Sequence, residues 1–220
     1  MEHQLVAVLR EQLHEVFGTG YIFAQRECPL GARIADIAVC SFNEKPAVGG
    51  LPRAIARLSA MDAHLLAEIV GFRYTAAQLA ARSFVPLSTV ESKVASLIRL
   101  GLVERIHGRF APTGWEAHLP AALYAIEAKL SDWRGAVAQA AYYRQFVDKS
   151  YVALPEKFQS SSALFRECRR LRLGLILVST SGAVRTCIPA RSSRVAATWR
   201  AAFAVFSLRR FMSETGHEAI

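Results

Sequence analysis

Apolar and polar positions alternate along this chain in three textures. The first segment, "EHQLVAVLREQLHEVF", repeats its apolar residues at helical spacing and predicts an amphipathic helix that ends near Phe17 at "GTG". "YIFAQRECPLG" and "ARIADIAVCSF" read as two β-branched, apolar-rich strands joined across a Pro-Leu-Gly turn, so a hairpin follows the helix. "NEKPAVGGLPRAI" has two prolines, paired glycines and no periodicity, and reads as a linker.

From about Ile55 to Trp115 the period becomes helical. Leu65, Leu66, Ile69 and Val70 share a face, Thr75 stands where a helix cap belongs, and Val90, Val94, Leu97 and Ile98 mark the apolar side of a helix near Ser88 to Leu100. The opposite side of that helix carries Ser88, Thr89, Ser92, Lys93 and Ser96, short donors and one lysine that can approach base edges and phosphates. Gly101 ends it, and "LVERIHGRFAPT" predicts two short strands about a His107-Gly108 turn. The segment resembles a winged helix-turn-helix domain, with the Ser88 to Leu100 helix as recognition helix and Arg105, His107 and Arg109 on the wing. That resemblance implies DNA contact, or a winged helix used for protein contacts.

After Gly114 strands and helices alternate. "ALYAIEAKL" predicts a strand, Ser131 to Val147 a helix, "SYVALP" a strand, "QSSSALFRECRRLR" a helix, "LGLILVST" a buried strand and "GAVRTCIPA" an edge strand. The expected domains are a first part of an α/β unit at 1–50, an inserted winged helix at 51–118, and the second part of the α/β unit at 119–220 with an arginine-rich final helix, "VAATWRAAFAVFSLRRFM". That helix would close a core or pair two subunits of a homodimer.

Composition narrows the class. The chain has 220 residues, 52% hydrophobic and 20% charged, and no run of about eighteen apolar residues that would span a bilayer. Charged residues through the first helix are unlike a secretory signal, so a soluble, cytoplasmic protein without a membrane partner is expected. Cys28, Cys40, Cys168 and Cys187 are too far apart to suggest a zinc site and read as free thiols. The net charge of +9 favours an anionic partner, and from Ser161 onward ten arginines face three glutamates. The Ser179 to Gly182 turn lacks the Gly-Lys-Ser/Thr ending of a phosphate loop.

Glu127 and Lys129 interrupt the apolar "YAIEAKL". On a strand, residues two apart share a face, so the two side chains project together, whereas Glu91 and Lys93, at the same spacing on a helix, diverge. Asp36 interrupts "RIADIAV" in the same way. If the two strands pair, two carboxylates and an ammonium meet, either as a magnesium or manganese site or as a salt-bridged structural cluster.

Asp36, then Glu127-Ala128-Lys129, then a helix with Gln139 and Tyr143 in a Gln-x-x-x-Tyr arrangement, resembles the PD-(D/E)XK nuclease superfamily. The resemblance covers about residues 1 to 45 and 119 to 190 and implies a restriction-endonuclease-like mixed sheet flanked by helices. It further implies Asp36, Glu127 and the Ala128 carbonyl as magnesium ligands, Lys129 as the group that activates water or stabilises charge, Gln139 at the substrate, and hydrolysis of DNA. A glutamate of the first helix joins the site in many members; Glu2 matches best, with Glu15 and Glu27 as rivals. Ala35 stands where the motif's proline would be, and the long insertion between the metal-bearing strands is unusual. The alternative is an inactive nucleic-acid-binding regulator on the same scaffold. Trp133, Tyr142 and Tyr143 are candidates either for stacking on bases or for packing.

Overall fold

A computed structural model describes residues 2–18, 21–42, 54–55, 58–193, 202 and 205–207. Most of the expected linker and nearly all of the expected arginine-rich final helix lie outside these residues. The chain divides into two compact units, Met1–Glu44 with Ala121–Val195, and Lys45–Pro120 with Ala196–Ile220. The division groups the last segment with the inserted unit, where the sequence pattern had grouped it with the sheet.

The first unit is mixed α/β. Helices α1 (Glu2–Glu11) and α2 (Leu13–Phe17) precede the strands β1 (Tyr21–Leu30) and β2 (Arg33–Phe42). The expected single first helix is broken at Gln12, whose side chain donates to the Gly182 carbonyl at 2.7 Å and accepts from the Val184 N–H at 3.2 Å. A tertiary anchor of this kind leaves no mark on hydrophobic periodicity.

The second unit begins, among the described residues, with the short turn at 54–55 and continues through α3 (Ala60–Gly71), α4 (Ala76–Ser83) and α5 (Leu87–Arg99) to a hairpin of β3 (Val103–Ile106) and β4 (Arg109–Pro112). Ser59 and Thr75 begin α3 and α4 with complete capping boxes, closed by Asp62 and Gln78. Leu65, Leu66 and Ile69 are buried, as are Val90, Val94 and Leu97, whereas Ile98 is exposed and leaves the expected apolar stripe. His107 and Gly108 both have positive φ, 49° and 77°, the conformation a tight two-residue hairpin demands.

Back in the first unit, β5 (Ala122–Ala128), α6 (Trp133–Tyr143), β6 (Lys149–Pro155), α7 (Ser162–Arg170), β7 (Gly174–Val178) and β8 (Val184–Ile188) complete the fold. The six-stranded sheet runs β1-β2-β5-β6-β7-β8, with β5, β6 and β7 parallel and the other pairs antiparallel. Leu5, Val6, Leu9 and Leu13 pack on the face that carries Ile37, Val39, Tyr124, Ile126 and Tyr151. Helices α6 and α7 cover the other, through Ala136, Val137, Ala140, Leu164 and Cys168 against Val152, Leu154, Leu175 and Leu177. Because both faces are covered, β5 to β7 are nearly continuous apolar runs, and the charge at Glu127 stands out against them. None of Cys28, Cys40, Cys168 and Cys187 is in a disulfide, and the first three are buried.

The insertion has a simple topological origin. Strands β2 and β5 are antiparallel neighbours with Ser41 opposite Ala122, and the Ala121 N–H donates to the Ser41 carbonyl at 2.8 Å. Residues 43–120 therefore form the connection of one β-hairpin. Loop-closure entropy grows only slowly with length, so such a hairpin tolerates a domain in its loop. A chain of residues 1–44 joined by a short Gly-Ser turn to residues 121–195 should fold cooperatively, with a single denaturation transition and protected β5 to β7 amides in hydrogen exchange; loss of both would show that the sheet depends on the insert.

Candidate active site

Asp36 sits where both ladders of β2 are interrupted. On the β1 side, Arg26 pairs with Ile37 and Cys28 with Ala35, skipping the step between them, and Glu27 opposite has φ of 50°. On the β5 side, pairing stops at Ile37 opposite Ile126, one step short of Asp36 and Glu127. A left-handed glutamate in a strand costs on the order of 1 kcal/mol, and such strain collects at functional sites. In place of a ladder bond, the Ala128 N–H donates to Asp36 Oδ2 at 2.8 Å.

Glu127 projects from β5 toward α6 and is 1% exposed. Lys129 lies one residue beyond β5, but its N–H still donates to the Ala153 carbonyl at 3.1 Å, which keeps its side chain on the face of Glu127. Its Nζ is 3.1 Å from Glu127 Oε1, 3.9 Å from Asp36 Oδ2 and 3.9 Å from Glu2 Oε2. Three carboxylates thus gather around one ammonium, brought by α1, β2 and β5. Of the three N-terminal candidates, Glu2 reaches the cluster; the Glu15 and Glu27 side chains are exposed and make no ion pair among the described residues.

Tyr143 locks this group to the hairpin. Fully buried, its hydroxyl lies 2.7 Å from the Ile34 carbonyl and 3.0 Å from Glu127 Oε2. Burial, with Glu127 beside it, pushes the phenol pKa far up, so it keeps its proton. One phenolic hydrogen faces two acceptors. If Glu127 is protonated, it can donate to the Tyr143 oxygen while Tyr143 donates to Ile34, and every group is satisfied. Burial, and then the charge of Asp36, raise the Glu127 pKa in the same direction, against the opposing pull of Lys129 and Tyr143. Lys129 is raised as well: burial disfavours its charge, but Glu127 and Asp36 outweigh it, and it remains an ammonium.

The neighbouring ring completes the clamp. The Ala32 N–H donates to Tyr142 Oη at 2.9 Å, and the Arg33 guanidinium lies 5.4 Å from the Tyr142 ring centre. Gly31, at φ +63°, lies so close to the end of α6 and the turn after it that a Cβ there would fall 2.5 Å from Phe146 Cζ and nearer still to Tyr142 Oη.

Tyr143 is therefore a buried hydrogen-bonding residue rather than a base-stacking one, because the apolar α6 face that brings it to Glu127 also closes it from solvent. Gln139, one turn earlier on α6, is partly buried and makes no side-chain hydrogen bond among the described residues. Ser88 and Ser92 are exposed on α5 and Thr89 is half-buried. Lys93 is drawn back to Asp62, Nζ to Oδ1 3.1 Å, so its charge is already paired. Arg105 and Arg109 are exposed on the β3-β4 hairpin, Arg105 over Phe110 and Arg109 donating to the Arg73 carbonyl at 3.2 Å. Sequence reasoning missed Ile34, Ala32 and Gly31, which act through backbone atoms and carry no side-chain signal.

Among the described residues no group of three or more His, Cys, Asp or Glu side chains is arranged to hold a metal ion. A cation here would rely on Asp36, Glu127 and the Ala128 carbonyl. That donor set fits a hard divalent ion: all oxygen, with lone pairs beyond those given to Lys129, Tyr143 and Ala128, and a buried carboxyl short of positive charge.

No family model matches the chain, and neither a curated protein nor a solved structure shows significant similarity to it. Class is therefore defined here by architecture alone, a six-stranded mixed α/β sheet flanked by helices.

Two outcomes follow from the geometry. A Glu127 pKa raised on folding gives stability that is present in full below the unfolded value and lost as pH rises through the folded one. Glu127→Gln, whose amide can donate to Tyr143, should therefore gain stability relative to the parent as pH rises from 4 to 8 in chelator, read by urea denaturation; a constant difference would refute the charge imbalance. Gly31→Ala should cost roughly 2–4 kcal/mol by the same measurement, combining overpacking with left-handed backbone strain.

Proposed function

We propose that the sheet-bearing unit is a metal-dependent nuclease of the PD-(D/E)XK kind, hydrolysing DNA phosphodiesters, with the inserted unit as a winged helix that positions the cut. One observation carries the reading: Asp36 and Glu127, far apart in sequence, converge at one end of the sheet on a single ammonium, Lys129, which Glu2 also approaches, so that three carboxylates share one positive charge.

In this reading Asp36, Glu127 and the Ala128 carbonyl hold magnesium or manganese, with Glu2 nearby through Lys129. When bound, the cation supplies charge neutralisation and Lewis acidity at the phosphate. Lys129 has the character of a persistent ammonium, which suits it to orient water and to stabilise negative charge building on phosphate oxygens rather than to remove a proton. Tyr143 holds the Glu127 carboxyl at a set angle. Three consecutive helices and a short hairpin carrying Arg105 and Arg109 support the winged-helix reading of the insert, with exposed Ser88 and Ser92 on α5 and Thr89 between them as the contacts to bases or phosphates. Lys93 would join them only by leaving Asp62.

The second reading, an inactive nucleic-acid-binding scaffold, has its own support. Both Glu127 oxygens and Asp36 Oδ2 already have protein partners. Purified protein incubated with plasmid, linear, branched and single-stranded DNA in magnesium, manganese, calcium or chelator separates the two. The expected outcome is cleavage in magnesium or manganese, binding with little cleavage in calcium, and neither cut nor nick in chelator. Asp36→Asn, Glu127→Gln and Lys129→Ala should each lower the rate by about a thousandfold or more while keeping a cooperative melt. Binding without cleavage in any metal would establish the scaffold instead.

A further inference from the structure

We propose that Arg33, seated on the ring of Tyr142 at the tip of the β1-β2 hairpin, forms a phosphate subsite beside the carboxylate cluster and takes a backbone phosphate of the DNA strand that enters it. The inference rests on the nuclease reading and adds a residue to it.

Charge sets the need. Around Lys129 stand Glu2, Asp36 and Glu127, three carboxylates against one ammonium, and that ammonium is committed to them. When all are ionised the cluster is doubly negative, which a divalent ion would neutralise without leaving positive charge to attract a phosphodiester. A polyanion approaching this end of the sheet therefore needs a further cation close by.

Geometry supplies it. Arg33 is exposed and has no acidic partner among the described residues, and the carbonyl of the next residue, Ile34, shares the Tyr143 hydroxyl with Glu127 Oε2. The position of Arg33 is also fixed at both ends. The backbone on either side is gripped by α6, through Ala32 N–H to Tyr142 Oη at 2.9 Å and Tyr143 Oη to the Ile34 carbonyl at 2.7 Å, and the guanidinium lies 5.4 Å from the Tyr142 ring centre. An aromatic face holds a guanidinium by its plane and leaves the N–H edge free, and that edge matches the oxygens of a phosphate. The two tyrosines of α6 thus hold the backbone on either side of Arg33, and one of them also holds Glu127.

Anisotropy of a fluorescein-labelled DNA duplex, titrated with the full chain in calcium at several salt concentrations, tests this. Arg33→Ala should weaken binding by about tenfold and reduce the slope of log affinity against log salt by about one. Arg33→Lys should keep the slope and recover part of the affinity, and Tyr142→Leu should weaken binding in the same direction by less. Arg10→Ala, an exposed charge at the end of α1, serves as the control for net charge. If Arg33→Ala is indistinguishable from the parent or from Arg10→Ala, the subsite is refuted, whatever cleavage shows. A parent protein that binds DNA, loses affinity on Arg33→Ala and cuts nothing in magnesium or manganese keeps the subsite and removes the catalytic reading. A parent that binds no DNA removes both.

Discussion

A carboxyl group enclosed at 1% exposure is the constraint from which the site is built. Taking Glu127 out of water is costly unless its oxygens find donors, and the protein supplies them from separate directions. Lys129 reaches Oε1 from the strand end and Tyr143 reaches Oε2 from α6. Because the Tyr143 hydroxyl also meets the Ile34 carbonyl, the need to satisfy one acid ties α6 to the β1-β2 hairpin. Gly31 allows the close approach and Tyr142 secures the turn. Asp36 follows from the same arrangement, held two residues past Ile34, where the ladders are open.

The satisfaction is incomplete. Neither the Lys129 ammonium nor the shared phenolic hydrogen overcomes burial and the repulsion from Asp36, so the fold holds Glu127 at an energetic disadvantage when it is charged. Burial imposes that disadvantage on any enclosed carboxylate, and here three carboxylates share the one ammonium that opposes it. The left-handed Glu27 opposite Asp36 adds backbone strain to a strand whose other pairs are regular.

Topology explains how two such strands coexist with a long interruption. β2 and β5 meet as the arms of one hairpin, and everything between them leaves and returns at neighbouring register positions. The apolar faces of both strands then set the register: a slip by one residue would turn Ile37 and Ile126 away from α1 and carry Asp36 and Glu127 into its apolar contact. Register and site are therefore the same specification, although the segment between them has its own core.

Much of this was legible in the residues. Helical and strand periods located nearly every element, because burial on one face leaves a repeating mark. The pairing of Glu127 with Lys129 followed from the two-residue period of a strand, and Asp36 stood out because a charge is expensive in an apolar run. Other features had no local signature. The break at Gln12 arises from bonds to Gly182 and Val184, and the choice of Glu2 over Glu15 and Glu27 depends on where α1 begins relative to the end of β5. Ile98 left its expected stripe and Lys93 was drawn to Asp62 because neighbouring helices decide which part of a helix is covered. Tyr143 looked as suited to stacking on a base as to packing, and only the seating of α6 made it the donor that holds Glu127. A sequence determines periodicity and which residue types are costly to bury; which groups then share a proton, an ion pair or a backbone donor depends on distances between segments remote along the chain, and those exist only once the sheet has closed.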